Sequence, residues 1–224
     1  MKKVHRIVTL AIGISLLAGF FSSCATHGFT PNVTRSDIRQ LAQFEMLANV
    51  GLIEQGNKVV YNDSLTEIAK GLFTKELAKE TILPVTETIV IEDSVINNKV
   101  QYEIYVLMNC IERMKVKDIP FPPTIDSILC ARNERFGLLV FDWGFVRSTG
   151  NYAGQIAKGI AIGILTMGTY YTVPYKDVTK SGIIIVDTKN RNIAYVTSAA
   201  KESSPLEEKT YQKMVKDLLK PYKK

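Results

Sequence analysis

From Asp37 onward the apolar positions of the chain change period several times. Leu65, Ile68, Ala69, Leu72, Phe73 and Leu77 recur three and four residues apart behind Asn62-Asp63-Ser64, which predicts a capped amphipathic helix. Val100, Ile104, Leu107, Met108, Ile111 and Met114 repeat the pattern. Pro120, Pro122 and Pro123 then open a third helix with Ile125, Ile128 and Leu129 facing inward. Thr86 to Ile91 is short and β-branched and predicts a strand. Gln43 to Ile53 fits a strand or a helix, and Asn57 to Tyr61 a further strand behind Gly56. The runs GLLVFDWGFVRS (137–148) and SGIIIVDTKNRNIAYVTS (181–198) form a strand pair, the second folding back at Thr188 to Asn192. After Ser204-Pro205, Tyr211, Met214, Val215, Leu218 and Leu219 mark a closing helix. Helices crossing between strands, followed by an antiparallel meander, predict an α/β or α+β fold with a mixed sheet and helices packed on it.

The first 36 residues follow a different rule. Lys2, Lys3 and Arg6 precede an almost wholly apolar run, Val8 to Phe21, which ends in Ser22, Ser23 and Cys24. A basic start, a core too short to span comfortably and a small-residue exit make a secretory signal. The cysteine placed directly after two serines resembles the bacterial lipoprotein signal, with Phe21 where Leu is usual. That resemblance implies removal of residues 1–23 and acylation at Cys24, and several chains anchor stably where one is marginal. Ala25, in place of the Asp that retains such proteins in the inner membrane, implies the outer membrane. The stretch 25–35 has no acidic cluster of the kind found before surface export, which implies the periplasmic face. Residues 24–36 are expected to be a lipidated tether, and 37–224 a single periplasmic domain.

Removal of the signal takes three of the 28 Lys and Arg and none of the 22 Asp and Glu, leaving 25 against 22, or +3. That balance gives no reason to expect nucleic acid. It also removes His5, so the other histidine, His27, lies three residues past the lipid. A domain without histidine has no Ser-His-Asp triad, Cys-His pair or histidine metal site, and no phosphate-cradling glycine motif is present. The expectation is a protein that is not an enzyme, with no catalytic, cofactor or metal-binding residues. Asp142 interrupts an apolar strand beside the only tryptophan. Strand alternation puts it on the wet face or beside Arg147, opposite a buried face of Leu139, Phe141, Trp143 and Phe145; the competing reading is a buried acid of raised pKa. Asp187 reads as turn chemistry. Cys110 and Cys130 lie on neighbouring predicted helices in an oxidising compartment that permits a disulfide, though free core thiols fit their apolar neighbours better.

The segment 150–175 is a Gly-rich insertion, with glycines at 150, 154, 159, 163 and 168 and no charge from Gly159 to Val173. Gly154, Gly159, Gly163, Gly168, Tyr170 and Tyr171 are its candidate interaction residues, toward the bilayer or a second copy; the alternative is a helix or loop packed over the sheet. Over 121–198, the Pro-initiated helix, GLLVFDWGF and IIIVDTKNRNIAYV resemble small periplasmic lipoproteins whose domain is similar to the amino-terminal domain of the Tol translocation protein. The curli-secretion lipoprotein and the lipoprotein activators of penicillin-binding proteins share that architecture. The resemblance implies a non-enzymatic module, held to the membrane by its lipid, that binds an envelope protein or assembles with itself in envelope maintenance or export. The alternative role is a small-ligand or cell-wall-binding lipoprotein.

Overall fold

A computed structural model describes residues 28–167 and 174–223. Seven strands form one mixed sheet: β1 (Leu41–Phe44), β2 (Leu47–Ile53), β3 (Val59–Tyr61), β4 (Val85–Ile89), β5 (Phe136–Arg147), β6 (Asp177–Asp187) and β7 (Asn192–Lys201). Five helices cover it: α1 (Asp63–Ala78), α2 (Ser94–Arg113), α3 (Pro123–Ala131), α4 (Thr149–Leu165) and α5 (Glu208–Leu219). The expected α/β class, mixed sheet, terminal meander and closing helix are all present.

β5 organises the sheet. On one side β6 runs antiparallel to it from Phe136 to Val146, and β7 follows β6. On the other side β1 and β2 lie end to end, both parallel to β5. Gln43 stands opposite Leu138 and Leu47 opposite Phe141, so four steps along β1–β2 match three along β5. The extra residue sits at the Glu45–Met46 break and splits one run into two strands. This resolves the ambiguous stretch from Gln43 to Ile53 as strand. β4 pairs outside β1 and β3 outside β2.

Both faces of the sheet are covered. Leu138, Val140, Ile183 and Ile185 pack under α1 and α5, which contribute Phe73, Leu77, Tyr211, Met214 and Leu218. Leu139, Phe141, Ile184 and Val186 point the other way, into Val100, Ile104 and Leu107 of α2 and Ile125 and Leu129 of α3. The helices start where the sequence supplies caps. Asn62 accepts from Leu65 N (3.1 Å), and Asp93 Oδ1 accepts from Val95 N and Ile96 N. α3 has no cap of its own, and Glu103 of α2 accepts from Thr124 N (2.8 Å) and Ile125 N (3.0 Å) instead. Close packing also dictates Gly182, where a Cβ would lie 2.2 Å from Phe141 Cζ.

The domain starts earlier than Asp37. Phe29 bridges antiparallel to Tyr195, with Thr30 N donating to Ala194 O (3.0 Å) and Val196 N to Gly28 O (3.3 Å). The Phe29 ring lies 4.9 Å from that of Tyr195 and 5.2 Å from that of Tyr222, and Val33 is buried. The expected tether is therefore part of the fold from Gly28 on. Thr, Asn and Pro content suggested a loose segment, and Phe29 and Val33 override it by burial.

Candidate functional site

The insertion between β5 and β6 is largely a helix, α4. Its first turn is a polar root. Ser148 Oγ accepts from Asn151 N, and Ser148 N donates to Ile53 O (3.0 Å). Asn151 is buried, donates to Glu54 O (2.7 Å) and Asn57 Oδ1 (3.0 Å), and accepts from Arg147 Nη1 (2.7 Å). Arg147 also donates to Asn57 Oδ1 (3.0 Å) and Tyr175 O (2.8 Å). Gly56 and Asn57 adopt φ of 80° and 63°, which turns the β2–β3 connection back toward the helix root. These bonds pin the N-terminus of α4 to the rim of the sheet.

Beyond the root the helix changes character. Ile160, Ile162, Ile164 and Leu165 are exposed, Leu165 to 82%, as is Met167 just past the helix end. Gly154 is exposed, with open space where a Cβ would stand, while Gly163 is half-buried and Gly159 buried. The alternative of a helix packed over the sheet does not hold for the described end of α4: Ile160, Ile162, Ile164 and Leu165 face outward, because Arg147 and Asn151 fix the root at the sheet's end rather than on a face. Gly168, Tyr170, Tyr171 and the acylation position Cys24 lie outside the described residues.

Asp142 is also corrected. It is neither on a wet face nor beside Arg147; it is 1% exposed, accepting from Ser181 Oγ (2.5 Å) and Tyr211 OH (2.7 Å) beneath α5. Alternation assigned it to the outside, but a sheet covered on both faces has no outside. Burial pushes its carboxyl up to about 6, against the opposing pull of the Ser181 and Tyr211 hydrogen bonds. Burial and the adjacent Asp142 push the Tyr211 phenol up as well. Trp143, expected in the core, is half-buried against Tyr105. Met214 lies against Ser181 and Phe73 sets its ring edge-on to Tyr211, beside this buried carboxylate.

Asp187 does more than shape a turn. It is fully buried, takes a bidentate pair from Arg135 (3.0 and 2.8 Å), and accepts from Lys189 N and from Asn190 Nδ2. Cys110 and Cys130 are free thiols. Among the described residues no group of three or more His, Cys, Asp or Glu is placed to hold a metal ion, and no helix is long and apolar enough to cross a membrane.

One feature of the surface was not read from the sequence. A groove of about 780 Å³ runs between α2 and the proline segment, lined by Val95, Lys99, Tyr102, Val106, Phe121 and Pro122 among others. Val95, Tyr102 and Val106 form a second apolar stripe on α2, beside its core stripe. That stripe was the available signal.

No family model matches the chain, and no curated protein matches it. Solved structures similar to it include the PelC dodecamer from Paraburkholderia phytofirmans and a single-substitution variant of that dodecamer in another crystal form. Each is 9% identical, with TM-scores of 0.39 and 0.37; both alignments cover 89% of this chain, and 96% and 97% of those chains.

Proposed function

We propose that this is a lipoprotein acylated at Cys24, anchored in the outer membrane on its periplasmic face, and that it acts as a non-enzymatic binding and assembly module in envelope maintenance or export. The address follows from the signal and the cysteine that ends it. The observation that carries the role is α4: an exposed, uncharged helix end on a root tied down by Arg147 and Asn151. Exposed apolar surface of this kind costs solubility unless something covers it. The test replaces Gly154 to Val173 with a short Gly-Ser linker. The shortened chain is expected to fold and stay anchored while losing its crosslinked neighbours or self-association in intact cells. Unchanged crosslinks would overturn the role. Intact mass of the mature protein checks the address: the expected terminus is acylated Cys24, and Cys24→Ala should abolish that processing.

The α2 groove favours a second reading, a small-ligand-binding lipoprotein, because its volume and apolar lining suit a compact ligand. Native mass spectrometry of protein taken directly from cells would show a retained small molecule if this reading holds.

A further inference from the structure

We infer that the apolar end of α4, Ile160 to Leu165, inserts into the bilayer that carries the chain's own anchor, giving the domain a second point of membrane attachment. The inference rests on the proposed anchor at Cys24 and on α4 as the working surface.

The helix is divided along its length rather than around it. Asn151, Gln155 and Lys158 occupy the root half, and no charged residue follows Lys158 within the helix. Ile160 and Ile164 share one side of the axis while Leu165 and Ile162 project roughly 140° and 200° round from Ile160, so the four together span more than half the circumference, and all four are exposed. A folded partner laid against α4 would cover one side; a fluid apolar medium covers every side. From Lys158 to Leu165 the rise is ~10 Å, which matches the depth at which amphipathic segments sit in a membrane interface and falls far short of crossing.

The start of the described chain and α4 also lie toward the same end of the sheet. α4 starts where β5 ends at Arg147, beside Ile53 and Asp177, which pair with Arg147 and Val146. Residues 28–30 run antiparallel to β7, with Gly28 opposite Val196 and Thr30 opposite Ala194, so Gly28 is the one of the three nearest the Lys201 end. Lys201 pairs with Thr179, near the start of β6, at that same end. The first described residue, Gly28, thus lies toward the end of the sheet on which α4 stands.

Lys58, Lys158 and Lys176 are exposed near the root and form no ion pair among the described residues, a suitable ring for lipid headgroups. Glu54 and Glu202 share this end, so apolar insertion, rather than charge attraction, dominates and binding should vary little with salt.

The full chain carrying Leu165→Trp, reconstituted in vesicles of equal parts phosphatidylethanolamine and phosphatidylglycerol, reads the position directly. Its added emission is expected to be blue-shifted and quenched by lipids brominated near the headgroup, more than by lipids brominated near the chain end. Trp143, packed against Tyr105 in the fold, supplies the unquenched reference in the parent chain. Adding Ile160→Ser and Ile164→Ser should reduce the quenching. Emission that stays unquenched overturns the inference. If residue 165 then crosslinks to a second copy or another protein, the proposed function survives without its bilayer partner. A mature terminus other than Cys24 removes the proposed anchor whatever the tryptophan reports.

Discussion

The two most unusual regions of this molecule invert each other. Under α5 a carboxylate is sealed away, with Asp142 1% exposed, while at the end of α4 a leucine stands 82% exposed. The first arrangement is tolerated because every oxygen is used: Ser181 and Tyr211 each donate to Asp142 at short range. The second has no such compensation within the described fold. Polar burial with full satisfaction is a device for a unique interior, whereas apolar exposure without a partner marks where the molecule meets something else.

Three measurements test that contrast. The largest effect should come from Tyr211→Ala, which deletes a buried ring set edge-on to Phe73 and leaves Asp142 one donor short. Denaturant unfolding is expected to show a loss of about 3–5 kcal/mol, and Tyr211→Phe, which removes only the hydroxyl, about 1–3 kcal/mol. Equal losses would mean that the hydrogen bond, not the ring, dominates.

The second effect is pH-dependent. With the Asp142 carboxyl raised to about 6 from its ordinary 3.8, the folded state holds this proton more tightly than the unfolded chain. Its contribution is fully present below pH 3.8 and is lost as pH rises through about 6, a change on the order of 3 kcal/mol. Asp142→Asn should flatten that part of the stability profile. Identical slopes in the two proteins would place the titration elsewhere.

The smallest effect belongs to α4. Ile164→Ser with Leu165→Ser should change unfolding free energy by no more than about 0.5 kcal/mol, because exposed side chains contribute little packing. A loss comparable to that of Tyr211→Phe would show that the helix end is covered by its own domain and erase the contrast.

Elements were legible wherever a period was long and its punctuation local. Asn62 announces α1, and the β6–β7 hairpin is visible in its turn residues. Positions set by more than one layer were not. Alternation gives the side of the sheet on which Asp142 lies but not that α5 covers it, and Tyr211, its partner, is 69 residues away. Trp143 shares a face with Phe141 yet stands nearer the rim, so burial falls off along a strand in a way no local pattern records. The Glu45–Met46 break is hidden because one inserted residue leaves the apolar content of the stretch unchanged. For α4 the apolar, uncharged composition was evident, but its direction is decided by Arg147, Asn57 and Asn151, brought together from two separate connections.

The bridge between Phe29 and Tyr195 has a mechanical consequence. A pull on Gly28 directed along its own strand would act along β7 rather than across it. The Thr30–Ala194 and Val196–Gly28 hydrogen bonds are therefore loaded together in shear instead of being peeled one after the other. The Phe29 ring, held against Tyr195 and Tyr222, must slide out of its aromatic seat before either bond can part. Under pull the rate of yielding depends on the barrier to that slide and not on the equilibrium stability of the domain.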